Sequence, residues 1–429
     1  MTIKSIKREI YEKSPGKNMA PGHSFSYKGQ GLVKIQKRTV AYEGDYTNEA
    51  YERVSIDNGR TWSPWKDVYS DMIRNKEQGE VMWVKTPTTG IYNKVHDHYV
   101  VLNMQRLFPR GHHEDYKLLW SGKEGCIDHT YIHVSKDLET WNPAQLVKYE
   151  DGAEYDDNNW LNPDYTQKNL AYFGCNFEID EKGDLLIPIG ARVESCCRIL
   201  GIKPDSVFPS CPHIANGLIV VRGVWNQKMN MYEFSGSRPL LISDLKSSRG
   251  VDEPTILLLK SGRIVVVFRG ANTQMPNWNS RLEPGTPAHK WYTYSDDQGK
   301  TFTDPVPYRF DNCELVYSPA SISQFVRSEK NKKAYWIGNI TPPETVGSYP
   351  REPLVIAEID EEIGILKKQT CAVIDKRNPE VDSERVQLSN FSIFQDRETG
   401  TMEIHLSKIE SNASEKFSAD AWKYTIVFE

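Results

Sequence analysis

The chain predicts an all-β fold in which four-stranded antiparallel units repeat around a ring. Three observations carry this. An eight-residue turn pattern, Ser55-Ile56-Asp57-Asn58-Gly59-Arg60-Thr61-Trp62, returns as Ser295-Asp296-Asp297-Gln298-Gly299-Lys300-Thr301-Phe302. Apolar runs broken by a short polar turn recur every roughly 65 to 80 residues, the signature of a repeated supersecondary unit. Helical periodicity is weak throughout, and no stretch is left over for a second core.

Each element follows from local chemistry. The pattern S-x-D-x-G-x-T-aromatic is an Asp-box. Its Ser ends a strand, its Asp caps backbone N–H groups, its Gly takes the positive-φ position, and the aromatic ring packs beneath the turn. A worn copy, Ser135-Lys136-Asp137-Leu138-Glu139-Thr140-Trp141, lacks the glycine and is one residue short. Inner hairpins are read at Gly31–Gly44, Asn93–Gln105, Phe177–Gly190, Thr255–Phe268, Ile322–Gly338 and Phe391–Leu406. Two irregular insertions, Asp151–Asn169 and Glu194–Ala215, are loops of the kind that build sites on a rigid scaffold. The alternating segment Trp422–Glu429 pairs with an N-terminal strand to close the ring. The architecture is a six-bladed β-propeller formed by residues 1–429 as one domain, with a seventh blade if the Tyr92–Trp141 region or the chain ends hold another.

Composition narrows the function. The 429 residues are 38% hydrophobic and 26% charged with a formal net charge of −5, which gives no basic footprint for nucleic acid. Saccharides suit a chain with 22 Tyr, 11 Trp and 14 Phe, although most of these rings serve β-sheet packing. No apolar run is long enough to span a bilayer, and the N-terminus lacks the apolar core of a signal peptide. A soluble protein is expected, cytoplasmic as it stands or exported if a leader is absent from this sequence. The pattern leaves oligomeric state open. Seven cysteines in an irregular pattern do not form a disulfide framework.

Asp-boxes at the outer turns of repeated sheets resemble the sialidase-type propellers and their carbohydrate-active relatives. From Asp252 onward the chain is similar to the second half of a sialidase. That resemblance implies an axial glutamate at Glu253, a carboxylate-binding arginine at Arg269 and another at Arg351. Two converging guanidinium forks imply an acidic sugar, since each can grip a planar carboxylate through two bonds. Where a sialidase carries its tyrosine nucleophile this chain reads Leu388-Ser389-Asn390-Phe391, and no counterpart of the first-blade arginine and aspartate is evident near Phe25–Val33.

The histidines His96, His98, His112, His113, His129 and His133 crowd one region, and Arg192 ends the next inner hairpin. This resembles the propeller lyases acting on ulvan and rhamnose–glucuronate linkages. The resemblance implies β-elimination at a uronic acid, with His112, His113 or His129 as base and Arg192 offsetting the carboxylate. Asn176 and Tyr172 stand where those lyases use an axial tyrosine. Cys196, Cys197, Cys211 and His213 form a CC…CxH set that suits a structural Zn²⁺, with buried free thiols or a disulfide as the other readings. The sequence thus favours an enzyme cleaving an acidic oligo- or polysaccharide. Elimination stands slightly ahead of a sialidase-like hydrolysis through Glu253, and a non-catalytic glycan-binding ring is the rival of a different class.

Overall fold

The computed structural model describes residues 3–84, 90–209, 213–273 and 281–429. It is a ring of six antiparallel blades. Blade 1 comprises Ala20–Tyr27, Lys34–Ala41, Glu49–Ser55 and Lys66–Asp67, from the axis outward. In blade 2 the inner position is shared by Gly79–Val84 and Ile91–Asn93, which both pair with His98–Phe108. Ile127–Ser135 and Gln145–Leu146 follow outward, and Ile73–Lys76 adds a hairpin strand to Gly79–Val84. Blade 3 likewise splits its inner strand into Ala171–Phe173 and Glu178–Ile179, backed by Leu185–Arg192, Asn216–Asn226 and Met231–Gly236. Blade 4 runs Asp252–Leu258, Ile264–Arg269, Lys290–Ser295 and Val306–Pro307, and blade 5 runs Gln324–Arg327, Ala334–Asn339, Leu354–Glu358 and Ala372–Asp375.

Blade 6 closes the ring with both ends of the chain. Ser392–Gln395, Met402–Ser407 and Ala421–Phe428 are joined on the outside by Ile3–Glu12, with Ile6 opposite Ile426 and Ile10 opposite Trp422. The ring has six blades and not seven, because the Tyr92–Trp141 region is consumed within blade 2.

The core lies between blades. Val100, Ile132, Ile187 and Ile219 pack blade 2 on blade 3, and Val267, Phe325 and Trp336 pack blade 4 on blade 5. A strand covered on both faces reads as a continuous apolar run. Ile264–Arg269 is such a strand, buried along its whole length, which is why the inner hairpins were visible in sequence. The first hairpin is displaced from its expected position. Its strands are Ala20–Tyr27 and Lys34–Ala41, and the Gly31 region is the turn between them.

The Asp-boxes form as their spacing requires. Ser55 Oγ accepts from the Gly59 N–H at 2.7 Å, while Asp57 accepts from the Thr61 N–H at 2.8 Å and its hydroxyl at 2.6 Å. The second box repeats this at 2.9, 3.0 and 2.7 Å. In the worn copy the Leu138 N–H takes the place of the glycine N–H at 2.8 Å, with Leu138 itself at φ +61°. Trp62 and Phe302 are half-buried, and Trp62 carries the Arg53 guanidinium over its face.

Helical structure departs from expectation in three places, one of them the single turn Pro163–Thr166 in the first insertion. His112–Trp120 is a helix between the second and third strands of blade 2, and Val193–Leu200 opens the second insertion as a helix. Among the described residues no helix is long and apolar enough to cross a membrane.

Candidate active site

The inner strands and the loops at their ends enclose an axial cavity of about 970 Å³. Its chemistry is concentrated where blades 3, 4 and 5 meet. Arg269 ends the second strand of blade 4, directly opposite Asp252 on the inner strand. Between Asp252 and Thr255 the register slips, and Glu253 sits in the bulge at φ +43°. A non-glycine residue in left-handed backbone is costly and is kept where the surroundings require it. Here the bulge turns the Glu253 carboxylate to accept from Arg269 Nη1 at 2.8 Å. The link between the two halves of blade 3's inner strand locks the other side, since the Cys175 N–H donates to Pro254 O at 2.8 Å.

Electrostatics fix the protonation states. Burial acts to raise the Glu253 pKa, but the charge and hydrogen bond of Arg269, then Arg351 and Lys290, outweigh it and hold the carboxyl below its ordinary range. Glu253 is therefore an anion. Burial, then the neighbouring Glu253, pushes the Tyr172 hydroxyl well above its usual value, so it stays a neutral phenol. Lys290, opposite Arg269 on the third strand, donates to Ser321 O; burial lowers its pKa to about 7 against the pull of Glu253.

Arginines and carboxylates pair along the wall. Arg106 is bidentate to Asp128 at 2.6 and 2.9 Å, and Arg249 reaches Asp252 at 3.1 Å. Arg351 is different. Among the described residues its guanidinium is held only by the carbonyls of Ser348 at 3.2 Å and Ala320 at 3.0 Å. Among the described residues neither Arg351 nor Arg192 has a carboxylate within ion-pair distance, although both line the cavity. Both are half-buried, and a partly desolvated cation without an ion-pair partner is stabilised by an anionic ligand. Asp45, exposed on the loop between the second and third strands of blade 1, also lines the cavity without an ion-pair partner among the described residues. Its charge is felt by both Arg351 and Tyr172.

The structure brings together Arg192, Glu253, Arg269, Arg351, Tyr172 and Asn176 on this one cavity. Asn176 is already engaged: its amide donates to Ile256 O at 2.8 Å and accepts from Ile256 N and Thr255 Oγ1, stitching blade 3 to blade 4. The histidines expected as bases are elsewhere, and among the described residues lining the cavity there is none. His129 is fully buried, stacked 3.9 Å from the Tyr165 ring with Nε2 on Tyr165 O at 2.9 Å; burial lowers its pKa to about 4. His112 stacks on Tyr46 and faces Glu80, and His113 is exposed beside it.

The cysteine set is not assembled as a three-ligand cluster among the described residues. Cys196 is buried in the core between blades 2 and 3, whereas Cys197 packs with Val193, Phe208 and Ala215. Burial raises both thiol pKa values, against the thiolate form that a metal requires. His213 faces Glu194 at 3.7 Å, and Cys211 lies outside the described residues.

Several lining residues were not anticipated. Tyr116 and Trp120 come from the helix His112–Trp120, and the Tyr116 hydroxyl donates to Asp45 O at 3.1 Å. The Arg249 guanidinium lies 5.7 Å from the centre of the half-exposed Trp120 ring.

Comparison with known proteins gives a fold. No family model and no curated protein matches the sequence. A protein of unknown function from Dyadobacter fermentans superposes over 100% of both chains, with a TM-score of 0.56 and 11% identity. The NanB sialidase of Streptococcus pneumoniae matches 100% of this chain and 70% of its own, with a TM-score of 0.54 and 10% identity. The intramolecular trans-sialidase of Ruminococcus gnavus gives a TM-score of 0.54 and 10% identity over 97% of this chain and 96% of that one. At these identities the likeness is one of architecture: the chain is built on the six-bladed propeller that those sialidases also use.

Proposed function

We propose that the protein is a glycoside hydrolase acting at an acidic sugar, with Arg351, Arg269 and Arg192 receiving the sugar carboxylate. The observation that carries this reading is the convergence of Glu253, paired with Arg269, and the carboxylate-free Arg351 on one axial cavity that has Asp45 at its wall. An ionised Glu253 beside a neutral Tyr172 suits attack, by the carboxylate itself or by the phenol with Glu253 taking its proton. Asp45, on a loop and without an ion-pair partner among the described residues, suits the general acid that protonates the leaving oxygen. Trp120 supplies an aromatic face for a second sugar ring.

Elimination at a uronate is the less supported chemistry, because it needs a base at the sugar's α-proton. The cavity offers no histidine among its described residues, so the base that the lyase reading requires of His112, His113 or His129 is not at the site. The two chemistries separate in one screen. Acidic oligosaccharides and polysaccharides are incubated with the protein while reducing ends and absorbance near 235 nm, about where an unsaturated uronate absorbs, are followed together. Hydrolysis raises only the first. A rise in both identifies a lyase, and binding without either signal identifies a glycan-binding ring.

A further inference from the structure

A second cluster stands at the rim, outside the catalytic set. The loop of blade 1 that carries Asp45 also carries Glu43, and it meets the first turn of the helix His112–Trp120. Glu43 Oε1 lies 3.5 Å from both His112 Nε2 and His113 Nδ1, and one ligating atom from each of the three residues falls within 4.8 Å of the others. Metal bonds of about 2.0 to 2.2 Å in tetrahedral array put neighbouring ligand atoms about 3.4 Å apart. The two Glu43–histidine separations of 3.5 Å match that spacing, and the two imidazoles lie within 4.8 Å of one another.

A second, independent feature fits the same reading. The other nitrogen of His112, Nδ1, faces the Glu80 carboxylate at 3.0 Å, and Glu80 also accepts from the Tyr46 hydroxyl at 2.7 Å. A carboxylate behind a histidine fixes the proton on Nδ1, orients the ring and leaves the Nε2 lone pair free, as at zinc-binding histidines. The ring is further held by stacking 3.8 Å from that of Tyr46. Glu43 and Glu80 together offset the positive end of the helix, which would otherwise oppose a cation.

We propose that Glu43, His112 and His113 bind one Zn²⁺-class transition ion that ties the Asp45 loop of blade 1 to the helix of blade 2. Two imidazoles and a carboxylate select such an ion over Ca²⁺ or Mg²⁺ and leave a coordination position for water. The ion is a staple. Asp45 is two residues beyond Glu43, and its carbonyl is already held by Tyr116 of the same helix. Fixing Glu43 to His112 and His113 therefore fixes the backbone that aims Asp45 into the cavity. The value of that to catalysis rests on the reading of Asp45 as the acid, whereas the binding of the ion does not.

The test uses the tag-free full chain, stripped with chelator and titrated with ZnCl₂ in a calorimeter, with hydrogen exchange of residues 42–48 followed in parallel. One equivalent is expected to bind. Glu43→Gln and His113→Asn should each weaken it at least tenfold, and Glu80→Gln about 10- to 100-fold through the outer shell. Because His113 is exposed, its replacement leaves the fold intact. Cys211→Ser should leave the titration unchanged, and Zn²⁺ should slow exchange of residues 42–48 in the parent chain but not in His113→Asn. The proposal is overturned by no stoichiometric binding, by binding that survives both Glu43→Gln and His113→Asn, by loss in Cys211→Ser, or by binding that leaves loop exchange unaltered. Neither readout is turnover, so a failed hydrolase reading and a failed metal site are told apart.

Discussion

Glu178 is a carboxyl on the inner strand of blade 3 whose pKa burial raises from 4.5 to about 7, despite the opposing charge of Arg327. The folded chain then holds a proton that the unfolded chain releases between about pH 4.5 and 7. Its cost is absent below that window and grows as pH rises through it. Glu178→Gln should therefore stabilise the protein at pH 8 by about 1 to 3 kcal/mol and do little at pH 4.5, as denaturant midpoints at the two pH values will report. Arg351 makes the opposite case, because its cation awaits a ligand anion. Arg351→Ala is expected to lower kcat/KM for an acidic substrate by about 100-fold or more, mostly through KM, and to matter far less for a neutral analogue. The resemblance to sialidases from Asp252 onward is what singled out Glu253, Arg269 and Arg351, and all three line the cavity. It did not disclose Asp45 or the Arg106–Asp128 pair, which reach the axis from loops and strand ends of other blades. Histidines close in sequence proved distant in role for the same reason: His129 lies on a strand that directs it against Tyr165, while His112 and His113 ride a helix that helical periodicity did not reveal.

At the scale of elements, the Asp-boxes were readable because their bonds run from residue i to i+4 and need no partner elsewhere. Asp57 and Asp297 each tie a turn together through the N–H and hydroxyl of a threonine, and neither lines the cavity. Asp57→Ala and Asp297→Ala should lower the thermal midpoint measurably while leaving kcat and KM unchanged. A matching fall in kcat at temperatures where the fold is intact would contradict the separation of rim from axis. The helix His112–Trp120 was missed because it is short and largely half-buried or exposed, with Asp115 its one fully buried side chain, so it carries no apolar stripe. Only Tyr116 and Leu119 pack on the apolar cluster of Tyr46, Met82, Phe108 and Cys126, too few positions to leave a periodic trace.

For the whole molecule, closure is the main structural claim, and it rests on Ile3–Glu12 completing the last blade. Ile426 is fully buried at that seam, opposite both Ile6 and Met402. Ile426→Ala should cost about 2 to 5 kcal/mol, and the loss should appear as one cooperative transition at lower denaturant, because opening one blade opens the ring. Closure by the two chain ends was legible from the alternation of the last strand, and the number of blades from the hairpin period. The ring brings residues from separate blades onto a shared axis, and that is what turns scattered side chains into a site. The central claim is that Glu253 acts there on an acidic sugar. It is tested most directly by comparing the parent chain with Glu253→Gln on the substrate that the reducing-end screen identifies. Turnover should fall by about 10³-fold or more, with the fold intact and substrate still bound through Arg351. Turnover within tenfold of the parent, or a signal near 235 nm that survives the substitution, would contradict it.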